Sequence, residues 1–202
     1  MAPWISAAVL AVLSALQPGS APTTPKPEEG IPGPLPAGFP AEHRLLAEMA
    51  GTFTAKVTIP AGEGQPPSEL AGTAVRRVLL GERFLRDTLD VTQGPAPFTL
   101  ETTLGYNPDG PLDGRFELTR LSSAAFPTMT ERGSFDPASK VFTFKGEHLI
   151  GGKRARTRSV LRLEAFTTHI LEVYVAYEDP ADPRKVLTPE FRAYTVEYER
   201  AR

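Results

Sequence analysis

The sequence predicts an all-β domain, an antiparallel up-and-down β-barrel of about ten strands with one short N-terminal helix. Three observations support this fold class. Apolar and polar residues alternate along about ten segments after residue 51, turn-forming residues separate these segments, and a short helical pattern precedes them. A sheet this wide would leave long exposed edges if it stayed flat, so we expect it to close on itself. A β-sandwich is the alternative that the same pattern allows.

The helical pattern covers residues 41–50. It places Leu45, Leu46 and Met49 on one face, a proline precedes it, and Gly51 follows its end, which is the usual asymmetry of helix termini. The alternating segments that predict strands are residues 53–59, 70–80, 83–91, 98–106, 115–122, 128–135, 141–149, 154–163, 169–177 and 191–200.

The segments between the predicted strands carry the residues that turns require. Residues 107–110 (NPDG), 136–139 (DPAS) and 179–183 (DPADP) combine proline, which fixes φ, with side chains that hydrogen-bond to their own backbone. Gly151 and Gly152 lie between two strand patterns and permit the positive φ of a tight hairpin. Short turns of this kind predict that strands adjacent in sequence pair with each other.

Composition excludes several classes of function. The formal net charge of -2 gives no basic surface field, so we expect no nucleic-acid partner. The chain has no cysteine, which excludes disulfides, thiolate metal sites, a cysteine nucleophile and an acylated-cysteine anchor. Its 202 residues suit one ordinary domain with additional segments.

The first part of the chain is not predicted to belong to the domain. Residues 5–16 form an uncharged apolar run that is too short to span a bilayer, and Gly19-Ser20-Ala21 offers a small-x-small cleavage site, so residues 1–21 are predicted to be a signal peptide. A buried N-terminal helix is the alternative. Residues 22–38 are rich in proline and predict a solvated linker, which leaves residues 39–202 for the barrel. We therefore expect an exported protein, periplasmic or extracellular, without a transmembrane anchor after cleavage.

Several phrases along the predicted domain resemble a bacterial lipocalin-like group, the domain-of-unknown-function family 1579. The resemblance extends over about residues 41–201. It is carried by the order and spacing of EHRLL (42–46) before Gly51, VLLGERFL (78–85), LGYN (104–107), GSFD (133–136) before Lys140, GE (146–147), HILEVY (169–174) and YER (198–200).

The resemblance implies a small calycin-type barrel and implies no established reaction, cofactor or catalytic residue. The chain departs from the family pattern at two places. Phe53 stands where members often have a tryptophan two residues after the glycine that ends the helix. The aromatic and acidic residues that usually follow the Gly-Tyr-Asp phrase are missing around Thr119 and Arg120.

No catalytic motif is recognisable in the sequence. There is no nucleophile-elbow pattern, phosphate-binding loop or dinucleotide fingerprint, and His43, His148 and His169 have no metal-ligand spacing. No metal site is predicted. Nitrobindin-like barrels hold haem iron through a histidine, and His169 is the best candidate for such a ligand here, although the Gly-x-Trp-x-Gly motif of that group is not matched around Phe53. A capping or turn role at the start of a strand is the alternative for His169.

Charged residues suggest polar anchors inside the barrel. Arg192 and Tyr194 resemble the Arg-x-Tyr pair with which fatty-acid-binding proteins hold a carboxylate, and Arg120 is a second candidate anchor. The alternative places the last strand's polar residues on the outer face. Glu172 would be a functional carboxylate if it faced the interior, but the alternation of its strand favours an interior of His169, Leu171, Val173 and Val175. Four arginines of the segment 154–163 are expected on its solvent side.

Three functions remain open at this point. A hollow barrel would bind a small hydrophobic or amphipathic ligand, and this hypothesis is preferred. Its predicted wall residues are Phe98, Leu100, Leu104, Tyr106, Phe142 and Phe144. The first alternative is a structural or protein-interaction barrel with a filled interior. The second is an enzyme that uses Glu172 or His148 on a small ligand in the cavity.

Overall fold

The computed structural model describes residues 41–61, 66–81, 83–92, 97–123, 128–165, 167–182 and 185–202. The predicted signal peptide (1–21) and linker (22–38) lie outside the described residues.

One helix precedes ten strands in the described part of the chain. The helix is α1 (Ala41–Glu48), and it ends before Gly51 as the sequence predicts. The strands are β1 (Gly51–Ile59), β2 (Ser68–Leu79), β3 (Phe84–Val91), β4 (Phe98–Tyr106), β5 (Phe116–Ser122), β6 (Met129–Asp136), β7 (Val141–Ile150), β8 (Lys153–Leu163), β9 (Thr168–Glu178) and β10 (Val186–Arg200).

The ten strands form a closed antiparallel barrel. Each strand pairs with its neighbours in sequence, and β1 pairs with β10 to close the sheet, with Val57 opposite Val196. Closure gives every strand a partner on both sides, which removes the exposed edges that a flat sheet of this width would have. The predicted up-and-down barrel is confirmed, and the β-sandwich alternative is wrong.

The helix α1 lies at one end of the barrel, which we call the helix end. It packs against β2, β3 and β4, and Leu46 and Met49 of its apolar face are buried in the core. At this end β1 begins and β10 ends. The opposite end, which we call the far end, includes the turn between β7 and β8. In that turn Gly151 and Gly152 have φ of 57° and 75°, so the predicted hairpin is confirmed.

Aromatic rings fill the interior near the helix end. Phe53, Phe142 and Phe144 are fully buried. The Phe142 ring stacks on Phe144 with centroids 5.8 Å apart and meets Phe116 edge-on at 5.0 Å. Because interlocked aromatic rings bury large areas in fixed geometry, this half of the barrel is a packed core.

The outer face carries the predicted arginine strip of β8. Arg158 donates to both carboxylate oxygens of Glu190, at 3.1 and 2.6 Å, and its guanidinium lies 4.0 Å from the centre of the Tyr174 ring. Arg156 pairs with Glu178 at 2.7 Å. These partners come from β9 and β10, so the strip joins β8 to both strands through ion pairs on the outer face, as the alternation predicts.

Strand β10 differs from the prediction in two ways. It begins at Val186, whereas the sequence pattern predicts a start at residue 191. The first part of the strand is irregular and contains Pro189, so the alternation does not reveal it. Its register against β9 shifts between Arg192 and Tyr194. A bulge at this point changes which face a side chain takes, so the prediction that Arg192 and Tyr194 share one face is wrong.

Candidate functional site

A row of polar residues crosses the otherwise apolar interior. Arg76 on β2 is the cross-strand partner of Asp87 on β3, Asp87 pairs with Thr102 on β4, and Thr102 pairs with Arg120 on β5. Each belongs to the strand face whose other members, such as Leu104, form the hydrophobic core. The closed sheet therefore brings four polar side chains from four strands into one line inside the barrel.

The centre of the polar interior is an ion pair between Arg120 and Glu131. Nη2 of Arg120 lies 2.8 Å from Oε2 of Glu131, and neither side chain is exposed to solvent. The two residues lie on adjacent strands, β5 and β6. A charged pair removed this completely from water is costly unless hydrogen bonds satisfy its remaining donors and acceptors.

Tyr194 is the second partner of Arg120. Nη1 of Arg120 donates to the Tyr194 hydroxyl oxygen at 3.1 Å. Burial disfavours the charge of Arg120, but the Tyr194 oxygen and the Glu131 carboxylate outweigh this cost and raise the pKa of Arg120 above its ordinary value. The guanidinium is therefore charged, and the Tyr194 hydroxyl keeps its own proton available for donation.

Several atoms of the Arg120–Glu131 pair lack a hydrogen bond among the described residues. Nε and Nη2 of Arg120 and both carboxylate oxygens of Glu131 are buried without an aligned partner, although Nη2 is close to Oε2. The contact is thus a close charge pair with poor hydrogen-bond geometry. Because Nη2 and Oε2 already face each other, Nε and Oε1 are the buried donor and acceptor left for another partner, and each unmade hydrogen bond costs about 1–3 kcal/mol.

His148 and Thr157 complete this group. Nε2 of His148 lies 3.1 Å from Oγ1 of Thr157, and burial together with the charge of Arg120 lowers the pKa of His148, against the opposing effect of Glu131. Gly146 permits the close packing, because a Cβ at that position would lie 2.7 Å from Nε2 of His148 and 2.9 Å from Cγ of Glu131. The imidazole is therefore neutral at neutral pH.

We call these five residues, Arg120, Glu131, His148, Thr157 and Tyr194, the central cluster. They come from β5, β6, β7, β8 and β10, so half of the strands contribute one side chain each. One positive and one negative charge cancel, and the other three members are uncharged. The central cluster is therefore a buried, electrically neutral site with unused hydrogen-bonding capacity.

A second polar group lies nearer the helix end. Arg76 donates from Nε to Asp87 at 3.2 Å, and its guanidinium also lies 4.1 Å from the centre of the Tyr198 ring and 4.8 Å from that of Phe53. Nη1 of Arg76 faces Nδ1 of His169. Burial raises the pKa of Asp87 despite the neighbouring Arg76. The Arg76 guanidinium thus contacts two polar and two aromatic side chains, whereas the partners of Arg120 described above are Glu131 and Tyr194.

His169 is held in its neutral form. Burial, followed by the charges of Arg76 and Arg200, lowers its pKa to about 3. Its ring packs at 5.3 Å from Phe53, and its Nδ1 accepts from Arg76. Because Nδ1 accepts from Arg76, the neutral ring carries its proton on Nε2, whereas a haem ligand needs an unprotonated nitrogen that can reach the iron. The haem hypothesis stays a prediction.

A cavity of about 30 Å³ lies beside the polar group nearer the helix end. Its polar lining consists of Arg76, Asp87, Thr102 and Tyr198, and its apolar lining includes Leu118. The five residues of the central cluster are not part of this lining, but Thr102 is the cross-strand partner of Arg120, and Leu118 precedes Arg120 by two residues on the same strand face. It has room for about two water molecules or for the few atoms of a small headgroup.

A protein-family model described as "Protein of unknown function (DUF1579)" matches residues 40–192, which is nearly the whole of the barrel. The chain belongs to this family. The DUF1579 match confirms the resemblance carried by the sequence phrases, and the family description assigns no activity that could be transferred to particular residues.

A solved structure shares the barrel fold of this DUF1579 member. It is an S-type phycobiliprotein lyase from Guillardia theta, with a TM-score of 0.50 and 8% sequence identity, and the similarity covers 80% of this chain and 93% of that chain. At this identity the likeness concerns the fold alone. A search of the curated proteins gave no match.

The described residues of this DUF1579 member contain no cluster of three or more histidine, aspartate or glutamate side chains able to hold a metal ion. Nor does the described part of the chain include a helix of the length and apolarity needed to cross a membrane.

The structure distributes the predicted binding residues over four regions, three of them inside the barrel and one on its outer face. Arg120, Tyr194 and His148 meet in the central cluster. Leu100 is buried in the core beyond the polar row, and Phe98 is half-buried towards the far end. The remaining predicted wall residues, Leu104, Tyr106, Phe142 and Phe144, pack in the half of the barrel near α1.

Arg192 and Glu172 lie together on the outer face. Nη1 of Arg192 donates to Glu172 at 3.2 Å, and Arg162 donates to the other carboxylate oxygen at 2.5 Å. These arginines oppose the effect of burial and lower the pKa of Glu172. Neither residue takes part in the central cluster. The combination of arginine and tyrosine that Arg192 was expected to provide is instead formed by Arg120 and Tyr194.

Sequence reasoning missed Glu131, Arg76 and Asp87 as site residues. A signal for each is present in the alternation, because each is a charged residue on a strand face that is otherwise apolar or small. Glu131, for example, shares its face with Met129 and Gly133. A charge at such a position is rare unless it is paired, and the partner on another strand becomes visible only with the register.

Proposed function

We propose that the barrel binds a small, mainly apolar ligand whose polar head forms hydrogen bonds with the central cluster. The observation that carries this proposal is the fully buried Arg120–Glu131 pair with its unused donors and acceptors. A polar head placed against the pair would satisfy these atoms. Thr102 and Leu118, which neighbour Arg120 on the sheet, line a cavity on the helix-end side of the central cluster.

A purely structural role explains the pair poorly. Well-packed apolar residues in place of a buried ion pair often keep or increase stability, so the pair is not an efficient way to hold a barrel together. Buried charges with incomplete hydrogen bonding are typical of binding and catalytic sites. The neighbouring His148 and Tyr194 add further groups that can accept or donate.

The apolar part of the ligand would lie towards the far end. Ile59, Leu70 and Phe98 are only partly buried there, and each packs against the hydrophobic core from the interior face of its strand. These side chains supply an apolar surface next to the central cluster. A site with apolar walls and a few convergent polar groups is the usual form of a small-molecule site.

Native mass spectrometry of the protein purified from its own host tests this proposal. We expect a population whose mass exceeds that of the chain by a constant small-molecule mass. We also expect the recombinant protein to bind Nile red, an uncharged lipophilic dye, with higher fluorescence than the variant Arg120→Met/Glu131→Leu. The matched control is Arg158→Met/Glu190→Leu on the outer face, which should bind like wild type. Ligand-free protein from the host and equal dye binding by all three proteins would overturn the proposal.

A structural or interaction protein with a filled interior is the second candidate. The packing of Phe53, Phe142 and Phe144 and the small volume of the described cavity favour it. The same experiment separates the two functions, because a filled barrel would show neither a retained mass nor dye binding that depends on Arg120.

Export remains part of the proposal. The support is the apolar run at residues 5–16 with the cleavage site at Ala21, followed by the proline-rich linker. Sequencing the N-terminus of the protein from its native host tests this proposal. A chain that begins at about residue 22 would support export, and an intact Met1 would contradict it.

A further inference from the structure

We infer that Glu131 is a built-in counter-ion that makes the central cluster select an uncharged headgroup, one that carries a hydrogen-bond acceptor and a donor side by side, such as a carboxamide. The inference rests on the proposed ligand binding and specifies the chemical class of the ligand. An arginine in a barrel interior would by itself favour a carboxylate. Here the arginine is already neutralised.

The central cluster carries no net charge. Arg120 on β5 and Glu131 on β6 are one positive and one negative charge 2.8 Å apart, and the members from β7, β8 and β10 are neutral. The group nearer the helix end repeats the pattern, because Arg76 is paired with Asp87 and His169 is neutral. A carboxylate entering the central cluster would meet the Glu131 carboxylate, and an ammonium group would meet the Arg120 guanidinium.

The hydrogen-bonding groups of the pair also favour an uncharged headgroup. Nη2 of Arg120 already faces Oε2 of Glu131 at 2.8 Å, and among the described residues Nε of Arg120 is a buried donor without an acceptor and Oε1 of Glu131 is a buried acceptor without a donor. A carboxamide presents a carbonyl oxygen to Nε and an N–H group to Oε1. A carboxylate can accept from Nε but leaves Oε1 unsatisfied, which disfavours it further.

The test compares ligands that differ only in the headgroup. Alkanamides and alkanoates of equal chain length, from hexyl to dodecyl, are titrated at neutral pH against protein loaded with Nile red. With wild type we expect the amide to displace the dye at about a hundredfold lower concentration than the matching carboxylate, since like charges at a buried site cost several kcal/mol. Equal potency, or a preference for the carboxylate, would overturn the inference.

Glu131→Gln tests the assigned residue. The variant keeps the shape of the side chain but leaves Arg120 as an unbalanced charge, so the preference should shift towards the carboxylate by at least about tenfold. Glu190→Gln makes the same charge change on the outer face and should leave the wild-type ratio unchanged. An unchanged ratio in Glu131→Gln would contradict the role of Glu131. If that variant does not fold, the wild-type ratio still decides the headgroup class.

The results also distinguish this inference from the proposed function. In one outcome, wild type prefers carboxylates to amides while Arg120→Met/Glu131→Leu binds neither. This result would support ligand binding at the central cluster and would refute only the inference that the headgroup is uncharged. Wild type that binds neither Nile red nor any ligand of the series would refute both.

Discussion

Replacing Glu131 by leucine removes one half of a completely buried ion pair. Arg120 then remains charged in the interior with Tyr194 as its hydrogen-bonding partner in the central cluster. Because Arg120 and Glu131 both have 0% side-chain exposure, solvent screening does not weaken the effect. We expect Glu131→Leu to lower the free energy of unfolding by about 3–5 kcal/mol, and Arg120→Met to lower it by a similar amount.

The double variant Arg120→Met/Glu131→Leu should behave differently. It removes both charges together with the four atoms that lack hydrogen bonds, and apolar side chains of similar length fill the space. We expect its free energy of unfolding to range from the wild-type value to about 4 kcal/mol above it. The two single losses would therefore not add, and the double-mutant cycle would give a coupling energy of at least about 6 kcal/mol, which is the smallest sum of the two single losses.

Equilibrium urea unfolding followed by far-UV circular dichroism measures these four proteins. Tryptophan fluorescence is unsuitable because the chain's one tryptophan, Trp4, lies in the predicted signal peptide. The matched cycle with Arg158→Met and Glu190→Leu on the outer face should give a coupling of at most about 1 kcal/mol. The assignment of a costly buried pair would be refuted if Glu131→Leu and Arg120→Met lowered the free energy of unfolding no more than Glu190→Leu and Arg158→Met do. It would also be refuted if the central double variant lost the sum of the two single losses.

Three further predictions concern the surroundings of the central cluster and His169. The pKa of His169 falls from 6.5 to about 3 on folding, so between these values the unfolded chain binds one more proton than the folded chain. The contribution of the neutral His169 to the free energy of unfolding should therefore be fully present above pH 6.5. It should decline towards pH 3 by up to about 1.4 kcal/mol per pH unit. His169→Gln should make the urea midpoint less dependent on pH in that window, and a parallel pH profile would contradict the neutral His169. Gly146→Ala should cost about 1–3 kcal/mol in urea unfolding, because its Cβ would lie 2.8 Å from the Thr130 carbonyl oxygen; a wild-type midpoint would show that the packing is looser. Haem should give no Soret band that depends on His169, since Nδ1 accepts from Arg76; a band lost in His169→Ala would establish the haem hypothesis instead.

The fold could be predicted from the sequence because local signals agree with one another. Two-residue alternation defines the strands, and Gly151-Gly152 and the proline turns define the connections between neighbours in sequence. Closure then follows from the number of strands, since it removes the exposed edges. Strand β10 shows where such reasoning fails, because Pro189 and the register shift before Tyr194 interrupt the alternation on which the assignment of faces depends.

The site could be predicted only in part. Arg120 and Tyr194 can be identified as interior candidates from their strands, but their contact joins residues 74 positions apart and depends on barrel closure. Glu131 was missed although the alternation places it with Met129 and Gly133, because its burial is tolerable only with the Arg120 partner, and that partner lies on another strand. Pairings across strands that are distant in sequence are set by register, which the composition of one strand does not encode.

Nuclear magnetic resonance of the arginine side chains tests whether a headgroup reaches the Arg120–Glu131 pair. Among the described residues, the Nε–H of Arg120 is buried without an acceptor, whereas that of Arg158 donates to Glu190 on the outer face. On titration with dodecanamide, we expect the Arg120 Nε–H signal to move in proportion to binding while the Arg158 signal stays in place. Binding of dodecanamide without any change at Arg120 would contradict a headgroup site at the Arg120–Glu131 pair.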